Sequence, residues 1–275
     1  MQTALIREAL VVTRSLGGIA EADDVARQLP GDVDGPALWQ AAHLHPAFEA
    51  ADDGTGRIAL AADLLPDPLD DLVVVAADVG SVSKDRFGWD VSDPRGALAG
   101  SFDPSRPSSL VEFVVGHLQA GRPVALGLEC PLFIPVSEDE LALGRARNGE
   151  GNRSWSAGAG TGAIATGLVQ ACWLLSAAFT RCPGVGLYLD WPAFACAGSG
   201  LLLWEAFVSA EAKGVEHVDD ARIAVGAFLE ALPDPRATQV ITAERPLSLA
   251  ATAAVWSGWS SDPALLREPP LLVRA

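Results

Sequence analysis

The sequence has 275 residues, of which 49% are hydrophobic and 20% are charged, and its formal net charge at pH 7 is −16. This apolar content is enough for one large domain, or for a medium and a small one, and it excludes an intrinsically disordered chain. The acidic balance disfavours broad contact with nucleic acid, so any such contact must be local or screened by bound cations.

The cysteines and the N-terminus indicate a cytoplasmic protein. No cysteine pair has C-x-x-C spacing, so we expect reduced thiols and not zinc ligands. Arg7 and Glu8 come too early for the apolar region of a secretory signal. Residues 154–180 are uncharged but rich in Gly, Ser, Thr and Ala, and we expect a loop and a buried helix there, not a membrane span. The cysteines are Cys130, Cys172, Cys182 and Cys196.

The first 66 residues predict a small winged-helix-like module. Apolar spacing predicts helices at residues 2–15, 21–29 and 35–45, and a Gly-rich turn signal predicts a hairpin between residues 48–50 and 57–60. Three short helices and a hairpin are typical of modules that bind DNA. However, the first 70 residues hold four basic residues against twelve acidic ones, and the third helix has no Lys or Arg. A role in protein contact or domain packing is therefore favoured over DNA binding.

The remainder, residues 67–275, predicts an α/β domain with a mixed sheet flanked by helices. Short apolar runs predict buried strands, and apolar residues at helical spacing, two of them after capping-box patterns, predict helices between the strands. The predicted strands are residues 72–77, 87–91, 97–102, 124–128, 187–189 and 201–208, and the predicted helices are residues 109–120, 137–147, 163–179, 221–232 and 247–255.

Acidic residues follow two of the predicted buried strands. Asp78 ends the first of these strands, and Glu129 directly follows another. At a third position, two adjacent acids, Asp219 and Asp220, open a late helix. If the strands are neighbours and the helix packs across their ends, the carboxylates meet, and like charges that close need protonation or a bridging cation. The pattern predicts a Mg²⁺ or Mn²⁺ site formed by Asp78, Glu129 and either Asp220 or Asp219. Such sites hydrolyse phosphodiesters.

Several of these residues also have an ordinary structural interpretation. Asp78 is compatible with a simple hairpin turn, and the acids at 219–220 with a helix cap. Glu205, inside a predicted strand, is either a metal ligand or the ion-pair partner of Lys84 or of an arginine in residues 145–153. His217 is expected to be a surface residue, or one that assists product release if it lies near Asp219.

One segment is unusually basic for this chain. Arg145, Arg147 and Arg153 surround Glu150. They form either a solvated loop or a local patch that holds a phosphate backbone. Together with Lys84 they make up the predicted substrate-binding residues.

The order of these motifs resembles the RNase H-like nuclease superfamily, especially its RuvC-like arrangement of acids and a group of uncharacterised bacterial predicted nucleases. The resemblance covers residues 72–232 and implies an RNase H-like fold and metal-dependent nuclease activity. Two features depart from the family pattern, since Glu129 stands where Asp is usual and the last helix lacks a second acid one turn on. The matching motifs are Asp78-Val79-Gly80, Glu129-Cys130-Pro131, residues 145–153, Glu205 and Asp220-Ala221.

Two other functions remain open. The residues after Asp78 also resemble the first phosphate-binding hairpin of sugar kinases and actin-like ATPases, which need a second such domain that this chain is too short to hold. A G-x-G-x-x-A match at residues 160–165 has no convincing strand before it and no acid about 20 residues on, so a flexible loop is favoured over a dinucleotide site. The other alternative is an inactive RNase H-like scaffold that serves as an interaction protein, and metal binding discriminates between it and an enzyme.

Overall fold

The computed structural model describes residues 19–28, 35–36, 38–39, 48–50, 57–60, 71–94, 102–151, 154–208 and 212–275. The chain divides into two compact units. One contains Met1–Asp70 and Ala195–Gly198, and the other contains Asp71–Phe194 and Ser199–Ala275.

The first unit contains a small antiparallel sheet. Strands β1 (Ile19–Glu21) and β2 (Phe48–Ala50) both pair with β3 (Arg57–Leu60). Helix α1 (Ala22–Ala26) follows β1 directly. The predicted hairpin is confirmed by the β2–β3 pairing.

Other predictions for this unit are tested only in part. The predicted second helix is shorter than expected, ending at Ala26. The predicted first helix lies outside the described residues, as does most of the third.

A mixed sheet forms the centre of the second unit, with six strands among the described residues. Its main strand order is β11-β9-β6-β4-β5, and β8 pairs with β9 beside this path, while β7 and β10 form a separate antiparallel pair. Only β5 among these six runs antiparallel to its neighbour. The strands are β4 (Val73–Asp78), β5 (Gly88–Ser92), β6 (Val124–Leu128), β7 (Phe133–Pro135), β8 (Leu187–Tyr188), β9 (Leu201–Phe207), β10 (Pro246–Ser248) and β11 (Leu272–Arg274).

Helices cover both faces of the sheet. Because side chains alternate along a strand, Val73, Val75 and Ala77 of β4 face the core that α2, α3 and α6 share. The even-numbered residues of β4, which end at Asp78, therefore lie on the opposite face, and α5 packs against β4 and β5. The helices of this unit are α2 (Pro107–Gln119), α3 (Gly158–Arg181), α5 (His217–Glu230) and α6 (Leu249–Trp256), while α4 (Trp191–Ala197) has its last three residues in the first unit.

Helix α3 is long and apolar enough, by length and composition, to cross a membrane. In this fold it packs against α2 and α6. Ala171, Leu174 and Leu175 join the main core, whereas Val169 and Trp173 are exposed. These features also fit a core helix with one solvent-facing side.

Helix α3 begins earlier than predicted. Glycine-rich residues expected to form a loop are helical from Gly158 onwards. Within the mispredicted stretch, Gly160 packs against the residues just before the helix, since a Cβ there would lie 2.6 Å from the carbonyl oxygen of Ser154; further along, a Cβ on Gly167 would lie 2.3 Å from Sγ of Cys130. Glycine lets the helix pass close to the segment after β6, and this contact outweighs its low helix propensity.

Two capping-box predictions are wrong. Residues 137–147 form no α-helix, only a 3-10 turn at Glu140–Ala142 that Asp139 caps through the backbone N–H of Leu141, at 3.0 Å. Helix α2 begins at Pro107, so Ser109 lies inside it, and its Oγ accepts a hydrogen bond from the backbone N–H of Asp103 at 2.7 Å. Of the predicted third strand, residues 97–101 lie outside the described part of the chain, and Phe102 is not in a strand.

Candidate metal centre

Three carboxylates meet where β4 and β6 end. Asp78 is the last residue of β4, and Glu129 directly follows β6. The two strands are parallel, with Ala77 opposite Leu128, and the backbone N–H of Glu129 donates to the carbonyl of Ala77 at 2.8 Å. The side chain of Asp220 approaches from the first turn of α5, and one oxygen from each acid lies within 4.8 Å of the other two.

A glycine allows α5 to reach the acids. Gly88 begins β5, and a Cβ there would lie 2.5 Å from the backbone nitrogen of Val218 and 2.6 Å from the carbonyl carbon of His217. These distances leave no room for a larger residue. The start of α5 therefore lies directly on the sheet, beside the end of β4.

The structure separates the roles of the two adjacent acids in α5. Asp219 forms a capping box with Glu216, accepting from its backbone N–H at 3.1 Å, and also pairs with Arg222 at 2.9 Å. Asp220 is buried and points to the acid cluster, where the backbone N–H of Gly214 donates to its Oδ1 at 2.6 Å. Of the two, Asp220 is the residue that joins the cluster.

Two basic side chains contact the cluster. Nζ of Lys213 donates to Oε1 of Glu129 at 2.7 Å and to Oδ2 of Asp220 at 2.8 Å. Nδ1 of His217 contacts Oδ2 of Asp78. The second oxygen of Glu129, Oε2, is buried and has no hydrogen-bond partner in the described part of the chain.

The electrostatics of the cluster favour an added positive charge. Burial raises the pKa of Asp78 above its usual range, although the hydrogen bond to His217 opposes this. Burial, reinforced by the Asp78 carboxylate, raises the pKa of Glu129 to about 7. Burial alone would lower the pKa of Lys213, but its hydrogen bonds to Asp220 and Glu129 outweigh that effect and raise it. Asp78 and Glu129 are therefore difficult to ionise together unless a further cation is bound.

A cleft of about 480 Å³ opens beside Asp78 and Glu129. Its lining includes the aromatic rings of Trp155 and Phe207 and two alanines of α3, Ala159 and Ala163. The indole N–H of Trp155 donates to the carbonyl of Arg145 at 2.9 Å, which fixes that ring at the edge of the cleft.

A buried ion network forms part of the cleft wall. Nη1 of Arg147 donates to Oε2 of Glu205 at 2.8 Å, and Nη2 donates to Oε1 of Glu150 at 2.9 Å. None of these three side chains is more than 1% exposed. The interpretation of Glu205 as the partner of an arginine in residues 145–153 is thus confirmed.

The predicted substrate-binding residues lie in different places. Arg147 forms ion pairs with two carboxylates, those of Glu150 and Glu205. Arg145 is exposed and lines a second cleft, of about 560 Å³, together with Arg245. Lys84 is exposed in the 3-10 turn after β4, and neither it nor Arg145 lines the cleft beside the acids. Arg153 lies outside the described residues, so its predicted role stays a prediction.

Two residues at the cluster had no assigned role there from the sequence. Lys213 belongs to no recognisable motif. The sequence could have drawn attention to it only because it is one of two lysines and precedes Asp220 by seven residues. His217 was expected at the surface or near Asp219. Its side chain is 40% exposed, but its ring contacts Asp78.

No protein-family model, curated protein or solved structure matches this chain. Its function therefore has to be inferred from the chemistry of the acid cluster and of the cleft beside it.

Proposed function

We propose that this chain is a divalent-metal-dependent phosphodiesterase, most simply a nuclease, in which Asp78, Glu129 and Asp220 hold Mg²⁺ or Mn²⁺. The observation that carries this proposal is the convergence of three acids from two strands and a helix at one largely buried point. Carboxylate oxygens are the ligands that these hard cations prefer. When bound, such an ion neutralises charge on a phosphate and makes a water molecule more acidic.

The sheet topology supports an RNase H-like assignment for the second unit. The β4–β5 hairpin, the parallel addition of β6 and then β9, and a late helix that brings an acid to the end of β4 follow the order of motifs that resembles this superfamily. For the first unit, the pairing of β1 with the β2–β3 hairpin supports a winged-helix-like module.

The chain's own residues would bind and orient the substrate. Asp78 and Glu129 lie on adjacent strands, so their relative positions are held by the sheet. His217 contacts Asp78 and so limits the orientation of its carboxylate. Trp155 and Phe207 offer flat aromatic surfaces in the cleft, which suit the bases of a single-stranded nucleic acid. Phosphate contact stays local in this proposal, as the net charge of the protein requires.

Calorimetric titration with Mn²⁺ tests the metal site. We expect micromolar binding to the wild type, and loss of that binding in Asp78→Asn and in Asp220→Asn. Asp219→Asn is the matched control, since it removes the adjacent charge from the same helix but not from the cluster, and it should bind as the wild type does. Negligible heat with the wild type, or binding that survives both cluster variants, would contradict the proposal.

Activity requires a separate measurement. If Mn²⁺ binds, labelled single-stranded and double-stranded DNA and RNA are incubated with the wild type and with Asp78→Asn. We expect Mn²⁺-dependent cleavage of at least one substrate by the wild type alone. Metal binding without any cleavage would contradict the nuclease assignment but not the metal site.

One observation favours a second candidate, an RNase H-like interaction protein without activity. Lys213 already bonds two of the three acids, as expected of a carboxylate cluster stabilised without metal. In that case Mn²⁺ would not bind to the wild type. The same titration therefore distinguishes the two candidates.

A further inference from the structure

Carboxylate clusters that hydrolyse phosphodiesters often hold two divalent ions. We propose that Lys213 takes the place of one of them here, so that the cluster binds a single divalent ion next to a fixed ammonium group. The inference rests on the proposed function and concerns how many ions the site takes. It assigns a role to a side chain that no sequence motif identified.

The first argument is where the ammonium group lies. Nζ of Lys213 is 2.7 Å from an oxygen of Glu129 and 2.8 Å from an oxygen of Asp220. It therefore joins two of the three acids that are proposed to hold metal, which is the contact that a bridging cation would make. The side chain is 35% exposed, so the group is only partly hydrated and its charge acts strongly on both carboxylates.

The second argument is what Lys213 leaves available. Among the described residues, Oε2 of Glu129 has no hydrogen-bond partner although it is buried. Asp78, the third acid, pairs with His217, whereas the ion pairs of Lys213 among the described residues are with Glu129 and Asp220. The Asp78 carboxylate and the second oxygen of Glu129 therefore remain as oxygen ligands for one further cation.

The third argument is charge. With His217 neutral, three ionised carboxylates, one ammonium group and one divalent ion are together neutral. Two divalent ions beside the same ammonium group would leave a net positive charge in a site that is mostly buried, which is costly. Removing the ammonium group removes this obstacle and also frees the oxygens of Glu129 and Asp220 that it occupies.

The stoichiometry of Mn²⁺ binding tests the inference. Calorimetry gives the number of ions, and electron paramagnetic resonance shows whether two Mn²⁺ ions are close enough to be exchange-coupled. The test variant is Lys213→Met, which removes the charge but keeps most of the side-chain length. Lys84→Met is the matched control, because it makes the same change at the only other lysine, which is exposed.

We expect one ion with the wild type and Lys84→Met, and two exchange-coupled ions with Lys213→Met. Lys213→Arg should keep one ion, because it keeps the charge. Circular dichroism and thermal unfolding confirm that each variant is folded, and Lys213→Ala replaces Lys213→Met if that variant is not.

Each contrary result is distinct. One ion in every variant overturns the role of Lys213 and leaves the metal site intact. Two ions in the wild type also overturn it, since Lys213 would then leave when metal binds. No binding in any variant overturns both this inference and the proposed function.

Discussion

Arg147→Met is expected to cause a large and pH-dependent loss of stability. Arg147 lies in a fully buried network, and the substitution keeps much of its aliphatic volume while removing its charge. Two carboxylates, Glu150 and Glu205, then lose their common partner. The effect depends on what other donors each of them keeps.

The contacts allow an estimate of that loss. Glu150 keeps two backbone donors, from Arg147 at 2.9 Å and Trp155 at 3.0 Å, but Glu205 keeps, within the described ranges of the chain, only the N–H of Leu132, at 2.8 Å. Glu205 therefore becomes a buried carboxylate with a single hydrogen bond. Removing one partner of a buried ion pair costs about 3–5 kcal/mol, and we expect the loss at pH 7 to fall in this range.

The loss should shrink in acid. Burial already raises the pKa of Glu205 in the wild type, against the opposing effect of Arg147. Without Arg147 that pKa rises further. A carboxyl group with a raised folded-state pKa destabilises the fold when it is ionised. This penalty shrinks as the pH falls below the folded-state pKa and is absent below the unfolded-state value. The difference between wild type and variant is therefore larger at pH 7 than at pH 5.

Urea unfolding followed by tryptophan fluorescence at both pH values measures this difference. Arg222→Met is the control, because Arg222 is 62% exposed and its ion pairs with Asp90 and Asp219 are on the surface. Its loss should be at most about 1 kcal/mol. A loss below about 1 kcal/mol for Arg147→Met, or one that does not shrink at pH 5, would refute the reasoning about an uncompensated Glu205.

Three further predictions concern the sheet and the helices around it. Burial lowers the pKa of His117, so the fold loses stability as the pH falls below 6.5, the ordinary pKa of histidine. His117→Gln should reduce this loss, and melting temperatures measured from pH 7.5 to 5 would show it. Gly88→Ala should displace the start of α5, lower stability by about 1–3 kcal/mol and weaken Mn²⁺ binding through Asp220. Gly127→Ala would place a Cβ 2.4 Å from the ring of Trp204 and should cost about as much stability with little effect on Mn²⁺ binding.

Contrary results would be informative for each variant. An unchanged pH dependence in His117→Gln would mean that another group controls acid destabilisation. The two glycine variants control each other, since both insert one methyl group into a packed region. Equal weakening of Mn²⁺ binding in both would show that the site responds to general stability and not to the position of α5.

Part of the candidate site could be predicted because the responsible pattern is local. A short apolar run followed by an acid appears at both Asp78 and Glu129, and parallel neighbouring strands bring such residues to the same edge of a sheet. The pairing of β4 with β6 is what makes the two acids neighbours. The alternation of buried side chains also places Asp78 on the side of the sheet that α5 covers.

The choice between Asp219 and Asp220 could not be predicted. Consecutive residues on an α-helix point about 100° apart, so only one of them can face the cluster. Which one does depends on the residue at which the helix begins, and sequence patterns locate that boundary only to within a few residues. In the structure, α5 begins at His217, four residues before the predicted start at residue 221.

Lys213 and the early part of α3 were missed for a different reason. Lys213 lies before α5 and outside any periodic element, so only the folded chain places its ammonium group between Glu129 and Asp220. In α3, local preference predicted a glycine-rich loop. In the folded chain, Gly160 packs against the backbone of Ser154 and Trp155, a close contact that helix propensity does not report.

Lys213, His217 and Asp220 belong to one stretch of eight residues that ends in the first turn of α5. An ion held by Asp220 together with Asp78 and Glu129 would join this turn to two strands of the sheet. Its binding free energy would then also oppose local opening of the turn, because a ligand that binds only the closed form stabilises it. Amide hydrogen exchange at the start of α5 would slow as the cation concentration rises, so that local order at this corner of the fold would itself report occupancy of the site.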